Sequence, residues 1–216
     1  GDARILRALV EEAGGAWARN PHELLELAKT LAVHRPGSGG PGTAVVTCSG
    51  GDAATAADQA EALGVAMPAL GGATTRRLES LLPAAATPAN PVDYTALIWG
   101  AAEPIAGIIE AVGADPAIDQ ILVYYDRPLG MDAAMTESWD GTLDGIIAGA
   151  GRIEVPVVAA STLPELLDEP SAFRLAAAGI APVAGLTTGL VCASRLAAEV
   201  RPAERLRAVA AAAAAV

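Results

Sequence analysis

Five consecutive residues, Cys48-Ser49-Gly50-Gly51-Asp52, bring together a thiol, a hydroxyl, two adjacent glycines and a carboxylate. They lie between an apolar run and a helical pattern, where a strand would turn into a helix. Adjacent glycines let a ligand come close to the backbone, and the first amides of a helix are unpaired donors. With the helix dipole, this makes Ser49, Gly50 and Gly51 a local site for a phosphate or another anion. Many such turns carry glycine for tight packing only, so the motif alone does not name a ligand. No GK[ST] follows, which excludes a Walker loop, and the GxGxxG spacing is absent. Cys48 has the placement of a thiol activated by a helix N-terminus. A small buried residue closing a strand is the simpler reading. Thr47 stands at the first glycine position of G-x-S-x-G, so there is no nucleophile elbow.

The second stretch with chemical character is Asn90-Pro91-Val92-Asp93-Tyr94. Pro91 keeps Asn90 extended, and Asp93 can orient a loop or cap the next segment. Turn chemistry alone accounts for it. Asp115-Pro116 and Asp126-Arg127-Pro128 read as loop punctuation, and Glu165, Asp168 and Glu169 as a solvated helix start. His22 and His34 are the only imidazoles and read as surface residues. Two isolated histidines make no metal site, and Cys48 and Cys192 are too far apart in sequence for a zinc or disulfide framework. No catalytic residue and no metal ligand can be named. The cysteine usage makes a reducing cytoplasm the default location.

The elements that must position these residues follow from periodicity. Residues 2–13 place Ile5, Leu6, Leu9 and Val10 on one helical face, with Asp2 as N-cap and Gly14-Gly15 as the stop. A short extended piece, Ala16 to Arg19, precedes a helix opening at Pro21 with Asn20 as cap. Its apolar face is Leu24, Leu27, Ala28 and Leu31. Arg35 to Gly42, RPGSGGPG, reads as a linker. From Thr43 the pattern alternates. TAVVTC, Gln120–Tyr125, Val155–Ala160 and Ala181–Ala184 read as strands. Helical patterns cover the segment from Asp52 to Gly64, then Thr74–Leu82, Glu103–Val112, Thr136–Ala150, Pro164–Ala178 (interrupted by Pro170) and Thr187–Ala198. Continuous apolar strands alternating with amphipathic helices indicate an α/β fold with a mainly parallel sheet covered on both faces. The Ala-rich residues 199–216 read as a helix or a connector.

Composition sets the outer bounds. The chain has 216 residues, 52% of them hydrophobic, which suffices for a buried core and excludes a disordered polymer. The net charge is −11 and Lys29 is the only lysine, so no basic patch exists for nucleic acid. No run approaches the roughly 18 apolar residues of a membrane span. The chain begins at Gly1 rather than Met and reads as an excised piece.

Two segments taken together, AVVTCSGGDAATAADQAEALG and LLPAAATPANPVDY, resemble the acyl-CoA synthetases (NDP-forming), which include ADP-forming acetate–CoA ligase and are relatives of succinyl-CoA synthetase. The matching residues are Ser49, Gly50 and Gly51, the pair Ala57-Asp58, and Asn90, Pro91, Val92 and Asp93. The resemblance runs to about Ala198. It implies a flavodoxin-like three-layer α/β/α fold. Residues 1–34 would be the C-terminal tail of a first ligase domain, 35–42 a linker, 43–198 a second ligase domain and 199–216 a connector.

The family couples acyl-CoA thioester chemistry to ADP/ATP through a phosphohistidine, which lies outside this chain. The resemblance implies that the helix after Ser49-Gly50-Gly51 helps hold the phosphoryl group. Asp52 departs from the family pattern, and the expectation is that it caps the helix or faces solvent. The implied partners are the CoA-binding, first ligase and ATP-grasp domains of the same enzyme, and a homo-oligomer stays open. The complete enzyme would use CoA, ATP/ADP and Mg, while the isolated fragment would bind no cofactor and be inactive. A non-catalytic binding or docking module is the alternative. A flavin site would have Trp99, Trp139 and a few tyrosines to draw on.

Overall fold

A computed structural model describes residues 3–197, Arg207 and Ala211. The expected Asp2 cap lies outside this set, as does nearly all of segment 199–216. Five short strands form: β1 (Thr43–Thr47), β2 (Val92–Asp93), β3 (Gln120–Tyr124), β4 (Val157–Ser161) and β5 (Ala181–Ala184). They make one all-parallel sheet in the order β2-β1-β3-β4-β5. Every residue of β1, β3 and β4 is buried, as their unbroken apolar runs require of strands covered on both faces.

Among the described residues there are eight α-helices: α1 (Ala3–Glu12), α2 (Pro21–Val33), α3 (Gly50–Leu63), α4 (Gly72–Leu81), α5 (Ala102–Gly113), α6 (Ala133–Ala150), α7 (Glu169–Ala177) and α8 (Leu186–Arg195), and all but α1 pack on the sheet or its covering helices. One apolar layer packs Leu78 of α4, Ile105 and Ile108 of α5, Leu143 and Ile146 of α6, and Leu175 of α7 against the sheet. On the other face, Leu27 of α2, Ala56 and Ala60 of α3, and Leu190 and Cys192 of α8 do the same. Each fully buried Leu or Ile contributes on the order of 2 kcal/mol. The result is a flavodoxin-like three-layer α/β/α architecture.

The structure departs from the sequence reading in several places. β2 arises inside the Asn-Pro-Val-Asp loop, where no strand was expected; its two residues are too few to show periodicity. The Pro164–Ala178 helix splits into a 3-10 turn (Pro164–Leu166) and α7, which the Asp168 carboxylate caps by accepting from the Ser171 amide at 3.2 Å. α6 starts at Ala133 because Asp132 caps it there.

Asn20 caps α2 as expected, but the helix buries a different face. Leu24 is 57% exposed, while Glu23, Glu26, Leu27 and Thr30 are buried. The buried carboxylates are paid for by partners, Arg19 on Glu23 and Lys29 with the Ala184 amide on Glu26. His22 and His34 do more than face solvent: their Nε2 atoms donate to the carbonyls of Ala184 (2.7 Å) and Val157 (2.9 Å), fastening α2 to the sheet.

Residues 35–42 are also held. The Gly37 and Gly39 amides donate to the Leu196 carbonyl, Gly40 to Gln120 Oε1 and Gly42 to Asp119 Oδ2. By contrast α1 buries no residue, and its apolar face is open, with Ile5 61% and Leu6 55% exposed.

Candidate functional site

β1 ends at Thr47, and the chain turns directly into α3. Ser49, in an extended conformation, caps the helix: its hydroxyl accepts from the Asp52 amide at 3.4 Å, and its own amide donates to Thr47 Oγ1 at 3.3 Å. Gly50 and Gly51 follow at the exposed tip of α3. Their amides belong to the first helical turn and have no partner among the described residues. Packing does not demand glycine at either position. A Cβ on Gly50 would reach Asp93 Oδ2 at 3.4 Å, and one on Gly51 would reach the Ser49 hydroxyl at 3.5 Å, both ordinary contacts.

The parallel register sets Thr47 beside Asp93, so the two sequence motifs meet at the carboxyl edge of the sheet. Within the second motif the residues divide their work. Asn90 is a strut: its side chain accepts from the Val45 amide and donates to the Thr43 and Pro68 carbonyls at 2.9–3.0 Å. Pro91 is half-buried behind a cis Asn90–Pro91 peptide, and Val92 is in the core. Only Asp93 reaches the turn. Its Oδ1 accepts from the Thr95 amide at 2.8 Å, which holds Thr95 at φ 64° and starts the 3-10 turn Ala96–Ile98. Ala57 and Asp58 are exposed on α3, away from this meeting point.

Beside the turn lies a cleft of about 430 Å³ between the carboxyl ends of β1 and β3. In the strand order found here this is the point where the chain leaves β1 in opposite directions, the usual ligand position of an open α/β sheet. Asp52 lines the cleft. It does not cap α3, a task Ser49 performs, and it stands half-buried in the cleft wall, where the expectation was a cap or a solvent-facing side chain. Its Oδ2 accepts from Thr47 Oγ1 at 3.4 Å. Burial, and then the charge of Asp126, raise its carboxyl above the ordinary value.

Asp126, read in the sequence as loop punctuation, lines the same cleft. It accepts from the Thr162 amide at 2.7 Å and hydroxyl at 2.6 Å. Burial, together with the charges of Asp52, Asp93 and Asp126, pushes the Cys48 thiol up to about 11. That keeps the thiol protonated at neutral pH, the opposite of the shift that activates a cysteine.

Aromatic residues form much of the remaining wall. Trp99 packs edge-on against Trp139, with ring centroids 5.1 Å apart, and stacks on Tyr125 at 6.2 Å. The Trp139 indole donates to the Asp126 carbonyl at 2.5 Å. The hydroxyl of Tyr124 and the indole nitrogen of Trp99 are buried without a hydrogen-bond partner. Sequence reasoning found the turn and missed this cleft, because Tyr124, Asp126 and Trp139 come from segments with no shared spacing. Neither histidine lines it, and no cluster of metal-binding side chains occurs among the described residues. Among those residues, no helix is long and apolar enough to cross a membrane.

No family model matches the chain, and no curated protein matches it by sequence. Solved structures do. PH0766 from Pyrococcus horikoshii OT3 is 25% identical, with a TM-score of 0.75 over 97% of this chain and 45% of its own. The dinucleotide forming acetyl-coenzyme A synthetase 1 of Ca. Korarchaeum cryptofilum is 20% identical over 100% of this chain and 44% of its own. Its apo form gives a TM-score of 0.68, and its complex with phosphate and ADP gives 0.69. The chain thus spans under half the length of the structures it resembles.

Proposed function

We propose that this chain is a ligase domain of an NDP-forming acyl-CoA synthetase, and that the Ser49-capped end of α3 receives a phosphoryl group there. The observation that carries the reading is the meeting of Ser49-Gly50-Gly51 with Asp93 across β1 and β2, at two helix-end amides with no protein partner. Likeness in fold to a synthetase solved with phosphate and ADP supports it. In this reading the phosphoryl donor is a phosphohistidine on another domain, and CoA, ATP/ADP and Mg are handled by the CoA-binding and ATP-grasp domains. The chain supplies no catalytic side chain. It supplies fixed amide dipoles aimed where negative charge arrives, a stabilisation that needs no reorganisation.

Asp52 and Asp93 flank those amides and oppose an anion. Asp52, already raised by burial, is the group that adjusts. An arriving phosphoryl raises it further and is accompanied by proton uptake. The test is reconstitution. With Mg-ATP, CoA and a panel of carboxylic acids, the purified chain forms no acyl-CoA. It forms acyl-CoA once the polypeptide carrying the other domains is added. Turnover by the chain alone, or no gain on adding that polypeptide, overturns the reading.

A further inference from the structure

The cleft between β1 and β3 has a chemistry of its own, distinct from that of the amides at the helix tip. Two carboxylates enter it, Asp52 from the first turn of α3 and Asp126 from just past the end of β3, and among the described residues no Lys, Arg or His lines it. The nearest arginine in sequence, Arg127, is turned away into contacts with Tyr125, Asp140 and Asp168. Among the described residues, no cationic side chain of the lining offsets these two carboxylates.

Asp126 is fully engaged by Thr162, whereas Asp52 has one long hydrogen bond from Thr47. Tyr124 is 3% exposed, lies within electrostatic reach of Asp52, and its hydroxyl has no partner. A buried hydroxyl without a hydrogen bond is costly, and a ligand with a polar hydrogen removes that cost. The walls of Trp99 and Trp139 suit a flat body, and indole faces attract cations.

We infer that this cleft binds a flat organic cation, such as an aryl amidine, an aryl amine or a protonated nitrogen heterocycle, with Asp52 as its counter-ion and Tyr124 as its hydrogen-bond partner. The inference does not depend on the ligase reading, and its test contains neither CoA nor a phosphoryl donor, so either can fail alone.

The probes are benzamidine, its near-isosteric anion benzoate, and neutral benzyl alcohol, titrated into the labelled chain at neutral pH. The readout is the indole N–H resonances. Those of Trp99 and Trp139 shift on saturation with benzamidine, while that of Trp17, which lines a different hollow, stays in place. Benzamidine binds at least about tenfold more tightly than benzoate, a difference of about 1.4 kcal/mol. Asp52→Asn abolishes the preference, Tyr124→Phe weakens benzamidine several-fold, and Asp58→Asn, which removes the same charge from an exposed site on α3, changes neither.

Binding also weakens on acidification as Asp52 takes up a proton. The other groups facing it are Asp93, Asp126, Cys48 and Tyr124, together with the N-terminal dipole of α3. Equal binding of benzoate, absence of saturable shifts, or a preference that survives in folded Asp52→Asn overturns the inference.

Discussion

Two glycine-rich stretches in this chain look alike in sequence and do opposite things. In residues 35–42 the glycines are required by their neighbours: a Cβ on Gly42 would overlap the Ala117 carbonyl oxygen, and one on Gly40 would press into the Asp119 carboxylate. In the Gly50-Gly51 turn the added carbon meets only ordinary contacts, Asp93 Oδ2 at 3.4 Å and the Ser49 hydroxyl at 3.5 Å. The first stretch spends its glycines on packing at the amino end of β3. The second keeps them where the protein has no use for the room, leaving a helix end that another molecule can approach. Composition alone cannot separate the two cases; what the absent Cβ would touch does.

The largest effect that tests this contrast belongs to Gly42→Ala. The clash is with backbone that cannot swing aside, and denaturant titration is expected to show a loss of about 2–3 kcal/mol. A loss no larger than that of Gly51→Ala would erase the distinction. Next comes Asn90→Ala, which strips the buried Val45 amide of its acceptor and two carbonyls of a donor. It is expected to cost about 2 kcal/mol, read as a fall in Tm.

Asp52→Asn has the opposite sign. A carboxyl raised in the folded state holds its proton there more firmly than in the unfolded chain, so the native state loses stability as pH climbs through the ordinary carboxylate range toward the raised value. The amide escapes that loss. The variant is expected to be more stable at pH 7 by under about 1 kcal/mol after solvent screening, with the gain gone at pH 3. The smallest effect is that of Gly51→Ala, within about 0.5 kcal/mol on stability. In a reconstituted synthetase, any defect beyond that would mark the position as one needed for close approach.

Much of the fold was legible because it rests on unbroken apolar runs. TAVVTC, Gln120–Tyr125, Val155–Ala160 and Ala181–Ala184 read as buried strands without help and contain β1, β3, β5 and most of β4, and Asn20 and Gly64 marked helix ends. What escaped depends on partners distant in the chain. The burial of Glu23 and Glu26 is legible only once Arg19, Lys29 and the end of β5 are seen around them. The Ser49-Gly50-Gly51 turn was visible as a local motif. Its neighbour, the acidic aromatic cleft, was not, since its parts come from the ends of β1 and β3, the turn after β2 and the middle of α6.

The contacts that α2 makes with β5 have a consequence for how copies of this chain meet one another. A sheet exposes two edge strands whose free backbone groups can template pairing with a foreign strand. One edge here, β2, is only two residues long. The other, β5, carries Pro182, and at its end Glu26 accepts from the Ala184 amide while His22 donates to its carbonyl. Two side chains from α2 thus stand in for a sixth strand. A fragment trimmed to start at Thr43 would lose both, and strand-to-strand self-association, rather than unfolding, would be its first failure.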